Sequence, residues 1–111
     1  MPWLVRDGEV LASLEVATSW RERRKGLVGR DGMEGALLLR PCTSVHTLGM
    51  RFDVDVAFCD DDLKVLETVR MRRWRVGLPR RRAHGVLEAE AGAFERWRLR
   101  PGDQLEVKGG T

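Results

Sequence analysis

The 111-residue chain has no apolar run of about 18 or more residues, so no segment reads as a membrane-spanning helix. Its start, Met-Pro-Trp-Leu-Val-Arg-Asp, lacks a basic region followed by an apolar stretch and does not read as a secretory signal. It has only two cysteines, Cys42 and Cys59, which is too few for a disulfide scaffold of this size. They are expected to be free buried thiols in a cytoplasmic protein. No Cys-x-x-Cys pair, G-x-S-x-G elbow or phosphate-cradling loop occurs, and Gly26-Leu27-Val28-Gly29 lacks the lysine and hydroxyl that a phosphate loop needs. There are no repeats or low-complexity tracts.

What is present fits one ordinary domain. Apolar residues make up 42% and charged residues 33%, enough for a single core with a charged surface. Residues 1–108 are read as the domain and 109–111 as a frayed tail. Net charge is +3, unevenly placed. Seven arginines and no acids lie between Arg70 and His84, whereas elsewhere seventeen acids outnumber thirteen bases.

The local patterns favour strands. Asp7-Gly8 is a turn pair between apolar runs and predicts a hairpin over residues 3–17. Ser19 and Glu22 have capping-box spacing, with Gly26 as a stop, and predict a short helix. Ala36-Leu37-Leu38-Leu39 reads as a buried strand. In Asp53–Phe58, Val54, Val56 and Phe58 share one face while Asp53 and Asp55 share the other. Asp60-Asp61-Asp62 turns that strand into a second one, ending at Met71. Arg72–Arg82 is a loop, Val86-Leu87-Glu88 a strand, and Ala91–Trp97 one or two helical turns. A turn at Pro101-Gly102-Asp103 leads to a last strand. Trp3, Trp20, Phe94 and Trp97 are expected to cover the core. The fold class is therefore α+β, mainly β: a compact antiparallel sheet or barrel-like core with two short helices.

Four segments in register carry a family likeness. They are Arg24–Arg30, His46–Phe58, Val86–Gly92 and Gly102-Asp103. With them the chain resembles the domain-of-unknown-function 192 family of small bacterial and archaeal proteins. The resemblance implies a compact, largely β domain and no particular reaction. Many relatives carry an aromatic-Met-Lys-Asn stretch where this chain has Leu48-Gly49-Met50-Arg51-Phe52, and many carry an export signal.

Two groups of residues are candidate sites. His46, Thr47, Met50, Arg51, Asp53 and Asp55, with Glu88 facing the same pocket as His46, could hold a small polar ligand or peptide. The alternative role for these residues is to satisfy backbone groups in an irregular bend. Arg72, Arg73, Arg75, Arg80, Arg81 and Arg82 surround Trp74. They could hold a polyanion or single-stranded nucleic acid, or form a solvated loop with Trp74 tucked onto the fold and arginines paired to Asp60–Asp62. A third reading is a small hydrolase or thiol enzyme using Cys42 or Cys59. No metal is expected, because Asp53 and Asp55 lack the further ligands a cation needs, and no cofactor is expected. The leading expectation is a non-catalytic binding module.

Overall fold

Residues 2–109 are described by the computed structural model of the chain, so Gly110 and Thr111 of the expected frayed tail lie outside the described residues. The first hairpin forms where the turn pair places it. Asp7 (φ 50°) and Gly8 (φ 78°) both adopt the left-handed backbone of a tight hairpin turn. They join β1 (Trp3–Arg6) to β2 (Glu9–Ala17), with Arg6 opposite Glu9. Helix α1 (Trp20–Lys25) starts on a complete capping box. The Glu22 N–H donates to Ser19 Oγ at 3.1 Å, and the Ser19 N–H donates to Glu22 Oε1 at 3.2 Å. Gly26, at φ 50°, ends the helix.

The chain then returns as β3 (Ala36–Leu39), which runs parallel to β2. Parallel neighbours need a crossover, here α1 and the loop after it. The other pairings are antiparallel, so the sheet is mainly antiparallel as expected, with this one parallel pair. β4 (Val54–Cys59) and β5 (Val65–Met71) form the expected second hairpin. In their turn, the Asp60 carboxylate accepts from the N–H groups of Asp62 and Lys64 at 3.0 and 2.9 Å. β6 (Gly85–Glu90) inserts between β4 and β3, α2 (Ala93–Trp97) follows, and β7 (Leu105–Lys108) pairs with β1.

The seven strands make one sheet in the order β5-β4-β6-β3-β2-β1-β7. The sheet curls until its edge strands approach at one corner, where Lys64 and Gln104 form an isolated bridge. No continuous ladder joins β5 to β7, so the barrel-like alternative resolves to a strongly curved open sheet. Among the described residues, no helix is long and apolar enough to cross a membrane.

Strand alternation gives this sheet two cores. Val54, Val56, Phe58, Leu37, Leu39 and Val86 face one way, onto Leu27, Met50 and Phe52 from the loops. Ala57, Cys59, Leu87, Ala89 and Leu38 face the other way, under Phe94 of α2. Phe94 and Trp97 pack with ring centroids 5.7 Å apart, as their spacing suggests. Trp3 and Trp20 do not cover the core: they are 44% and 66% exposed, Trp3 at the start of β1 and Trp20 at the start of α1.

One buried carboxylate fastens α2 to the sheet. Gly92, the residue before α2, offers no side-chain cap. Asp55 supplies it from β4: one oxygen accepts from the N–H groups of Gly92 and Phe94 at 2.9 and 3.1 Å, and the other from Arg70 Nε at 3.0 Å. Replacing Asp55 with Ala strands two backbone donors beneath the helix. A loss of about 2–4 kcal/mol in denaturant unfolding is expected, and a loss under about 0.5 kcal/mol, the range of an ordinary surface substitution, would contradict the role.

Candidate functional site

Among the described residues, three polar ones are buried: Thr47, Asp55 and Glu88. A buried polar group without a partner is costly, so each raises the question of what satisfies it. Asp55 is satisfied as described. Thr47 is satisfied by the arginine loop. Its hydroxyl donates to the Arg72 carbonyl at 2.6 Å and accepts from the Arg75 N–H at 2.8 Å. Its backbone exchanges further bonds with Trp74 and Arg75 at 2.9 and 2.7 Å.

Glu88 differs. It stands at the centre of β6, opposite Leu37 on one side and Val56 on the other, so an apolar residue here would simply extend the core. It is 2% exposed, and no group among the described residues hydrogen-bonds its carboxylate. Burial pushes its carboxyl up to about 7, against a smaller opposing pull from Arg30. That arginine is already held by Glu15 through two bonds of 2.8 and 3.0 Å.

The carboxylate lies at the base of a cleft of about 260 Å³ between the end of α1 and the Ser44–His46 segment. Gly26 makes room for it: a Cβ there would lie 3.2 Å from Glu88 Oε1. Leu27, Val28, Leu39 and Val45 provide apolar walls. Trp20, Arg23, Arg24, Lys25 and His46 form the mouth. Among the described residues, none of these three cations is paired with a carboxylate. Arg23 gives one N–H to the Thr18 carbonyl at 3.0 Å, and Arg24 lies 5.1 Å over the Trp20 ring. His46 Nδ1 accepts from the Leu48 N–H at 3.2 Å, which leaves Nε2 as the donor of the neutral imidazole.

The candidate residues named from sequence are dispersed by the fold. His46 and Glu88 share the cleft. Thr47 is a tether for the loop, and Met50 is a core residue, 2% exposed. Arg51 points outward to Asp31 at 2.6 Å. Asp53 precedes β4 rather than lying on it, and it accepts from the Arg73 N–H at 3.0 Å. The shared face expected for Asp53 and Asp55 is therefore corrected: Asp55 faces α2 and Asp53 serves the arginine loop. A wider hollow of about 510 Å³ lies over Asp55, whose oxygens are occupied by the helix cap and Arg70. The α1 contribution to the cleft, Trp20 and Arg23 to Gly26, was not visible as site chemistry in the sequence. Its signal was the glycine, which the helix stop explained equally well.

Arg72–Arg75 leaves Trp74 63% exposed at a left-handed φ of 62°. The expected tucking of Trp74 is corrected, because bonds from the Thr47 hydroxyl and backbone hold this turn outward, and among the described residues no arginine of Arg72–Arg82 pairs with Asp60–Asp62. Arg80 stacks on Phe58 at 4.3 Å and pairs with Glu67 at 2.8 Å, and Arg73 lies 3.7 Å from Asp53. Among the described residues, Arg72, Arg75, Arg81 and Arg82 form no ion pair. Both cysteines are free; Cys59 is buried, with its thiol pushed up to about 12, and Cys42 is raised in the same direction by burial. Neither has the lowered value of an activated thiol. No three metal-ligating side chains cluster among the described residues.

The DUF192 family model, described as an uncharacterized ACR, matches residues 3–107. A UPF0127 protein of Pyrococcus furiosus is 28% identical over 108 residues, spanning 93% of each chain. Two crystal structures, each 22% identical, share the fold. A protein of unknown function from Novosphingobium aromaticivorans DSM 12444 aligns with a TM-score of 0.79 over 95% of this chain and 82% of its own. A Sinorhizobium meliloti 1021 protein, provisionally described as a transcription regulator, aligns at 0.81 over 96% and 91%.

The position of Glu88 has a thermodynamic consequence. Its carboxyl binds a proton more tightly folded than unfolded, so the folded protein holds more protons between pH 4.5 and about 7. Stability should fall as pH rises through that window, by about 3 kcal/mol in all, and then level off. Glu88→Gln should remove this slope and be more stable than the parent above neutrality. Chemical denaturation across pH would show it; a parallel pH profile in the variant would rule it out.

Proposed function

The chain belongs to the DUF192 family, and we propose that it is a non-catalytic module that binds a small polar ligand in the cleft over Glu88. The observation that carries this reading is a buried carboxylate, with no hydrogen-bond partner among the described residues, at the base of an open cleft. A fold that needed only stability would place an aliphatic side chain between Leu37 and Val56. Retaining the carboxylate costs stability, and such costs concentrate where a protein meets a ligand. A cleft of about 260 Å³ suits a small molecule or the end of a peptide. The raised thiols of Cys42 and Cys59 favour binding over thiol chemistry. Two free cysteines also suit the reducing cytoplasm.

A screen of small metabolites by amide chemical-shift perturbation tests the reading. Hits should shift Gly26, Leu27, Val45, His46 and Glu88 together. Glu88→Gln should weaken a hit by about tenfold, the loss of one charge-assisted hydrogen bond. Hits that cluster elsewhere, or that bind the variant equally well, would refute it.

A second surface favours single-stranded nucleic acid. Trp74 is held outward by a turn fastened to Thr47, and Arg72 and Arg75 flank it without ion pairs among the described residues. An exposed indole stacks on bases of any sequence, and guanidinium groups pair with phosphates. Oligonucleotide binding should weaken steeply with salt and drop by about tenfold or more in Trp74→Ala, the worth of one stacked base. Binding that survives this substitution, or that ignores salt, would exclude the surface.

A further inference from the structure

The cleft is electrically asymmetric along its depth. At its base is a single acid, Glu88, with no hydrogen-bond donor among the described residues. At its mouth are Arg23, Arg24 and Lys25, none paired with a carboxylate among the described residues, and the Nε2 donor of His46. A pure cation is repelled at the entrance. A pure anion is drawn to the mouth but repelled by ionised Glu88. A ligand gains at both ends only if its positive end enters first and its negative end stays outside.

We propose that the ligand of this cleft is a small zwitterion, its primary amine seated on Glu88 and its carboxylate or phosphate held by the α1 cations and His46. This rests on the reading of the cleft as the ligand site. A hydroxyl would give Glu88 a hydrogen bond but no counter-charge, and desolvating a carboxylate costs several kcal/mol that only an opposite charge recovers well. The ammonium supplies both. Leu27, Val28, Leu39 and Val45 then pack on the short carbon chain that joins the two ends.

The other charged or titratable groups near Glu88 do not replace the amine. Arg30 reaches it only through space, because its guanidinium is committed to Glu15. Cys42 feels Glu88 as one of the influences that raise its thiol, and it keeps that thiol turned to the Ser44 carbonyl at 3.0 Å. Arg23, Arg24, Lys25 and His46 stand at the mouth. The ammonium therefore binds ionised Glu88 and expels whatever proton the carboxyl carried.

Three probes of similar length test this by titration calorimetry on the full chain: γ-aminobutyrate, its hydroxyl analogue γ-hydroxybutyrate, and phosphoethanolamine. At least one amine should bind at least tenfold more tightly than the hydroxyl analogue. Preference between the two amines tells whether the mouth takes carboxylate or phosphate. Amine affinity should rise by up to about tenfold from about pH 6 to about pH 8, as the proton on Glu88 ceases to compete. Glu88→Gln should abolish that rise, and His46→Gln should keep it while weakening binding at both pH values. Equal or tighter binding of the hydroxyl analogue overturns the zwitterion and leaves the cleft reading standing, as does an amine affinity that falls with pH. Failure of all three probes also overturns the zwitterion, whereas the broader reading falls only if the metabolite screen finds no ligand over Glu88.

Discussion

The central strands β4 and β6 are covered on both faces, and that constraint governs every polar residue they carry. All six residues of β4 and the first five of β6 are buried. A carboxylate there must find donors, take up a proton or open onto a cavity. Asp55 and Glu88 sit on these strands, on opposite faces, and meet the constraint in different ways. Asp55 is fully engaged and turns its burial into the attachment of α2. Glu88 has no donor among the described residues and opens toward α1.

The same logic explains the irregular parts. The stretch between β3 and β4 contributes Met50 and Phe52 to one core and leaves most of its polar residues half-buried or exposed. Thr47 is the exception, buried because it fastens the Arg72–Arg75 turn. Gly26 has two roles at one position: its left-handed backbone ends α1, and its missing side chain admits Glu88. A side chain at residue 26 would be strained and would crowd the cleft at the same time.

Local features were the most legible in the sequence. The Asp7-Gly8 turn, the Ser19–Glu22 box and the Val54, Val56 and Phe58 face depend on residues within a few positions of one another, and each forms as read. The four motifs in register pointed to the family and its mainly β fold. Long-range choices were not legible. The parallel pairing of β3 with β2 depends on where a crossover lands, and no local pattern records that. Placing Asp53 and Asp55 on one face assumed that the strand began a residue earlier than it does. Trp20 has the same side chain as a core tryptophan, and only its place on α1 puts it at the mouth of a cleft. His46 and Glu88 could be paired from motif membership, but Glu88's lack of a donor is a property of three-dimensional packing.

The proton affinity of Glu88 in the free protein is therefore the decisive quantity. It can be read directly by following the side-chain carboxyl carbon of Glu88 by NMR as pH is varied. A midpoint near 7 is expected for a carboxyl buried between Leu37 and Val56 without a donor. A midpoint at or below 4.5, its ordinary value, would mean that Glu88 already has its partners within the fold, and the cleft would lose the feature that marks it as a site.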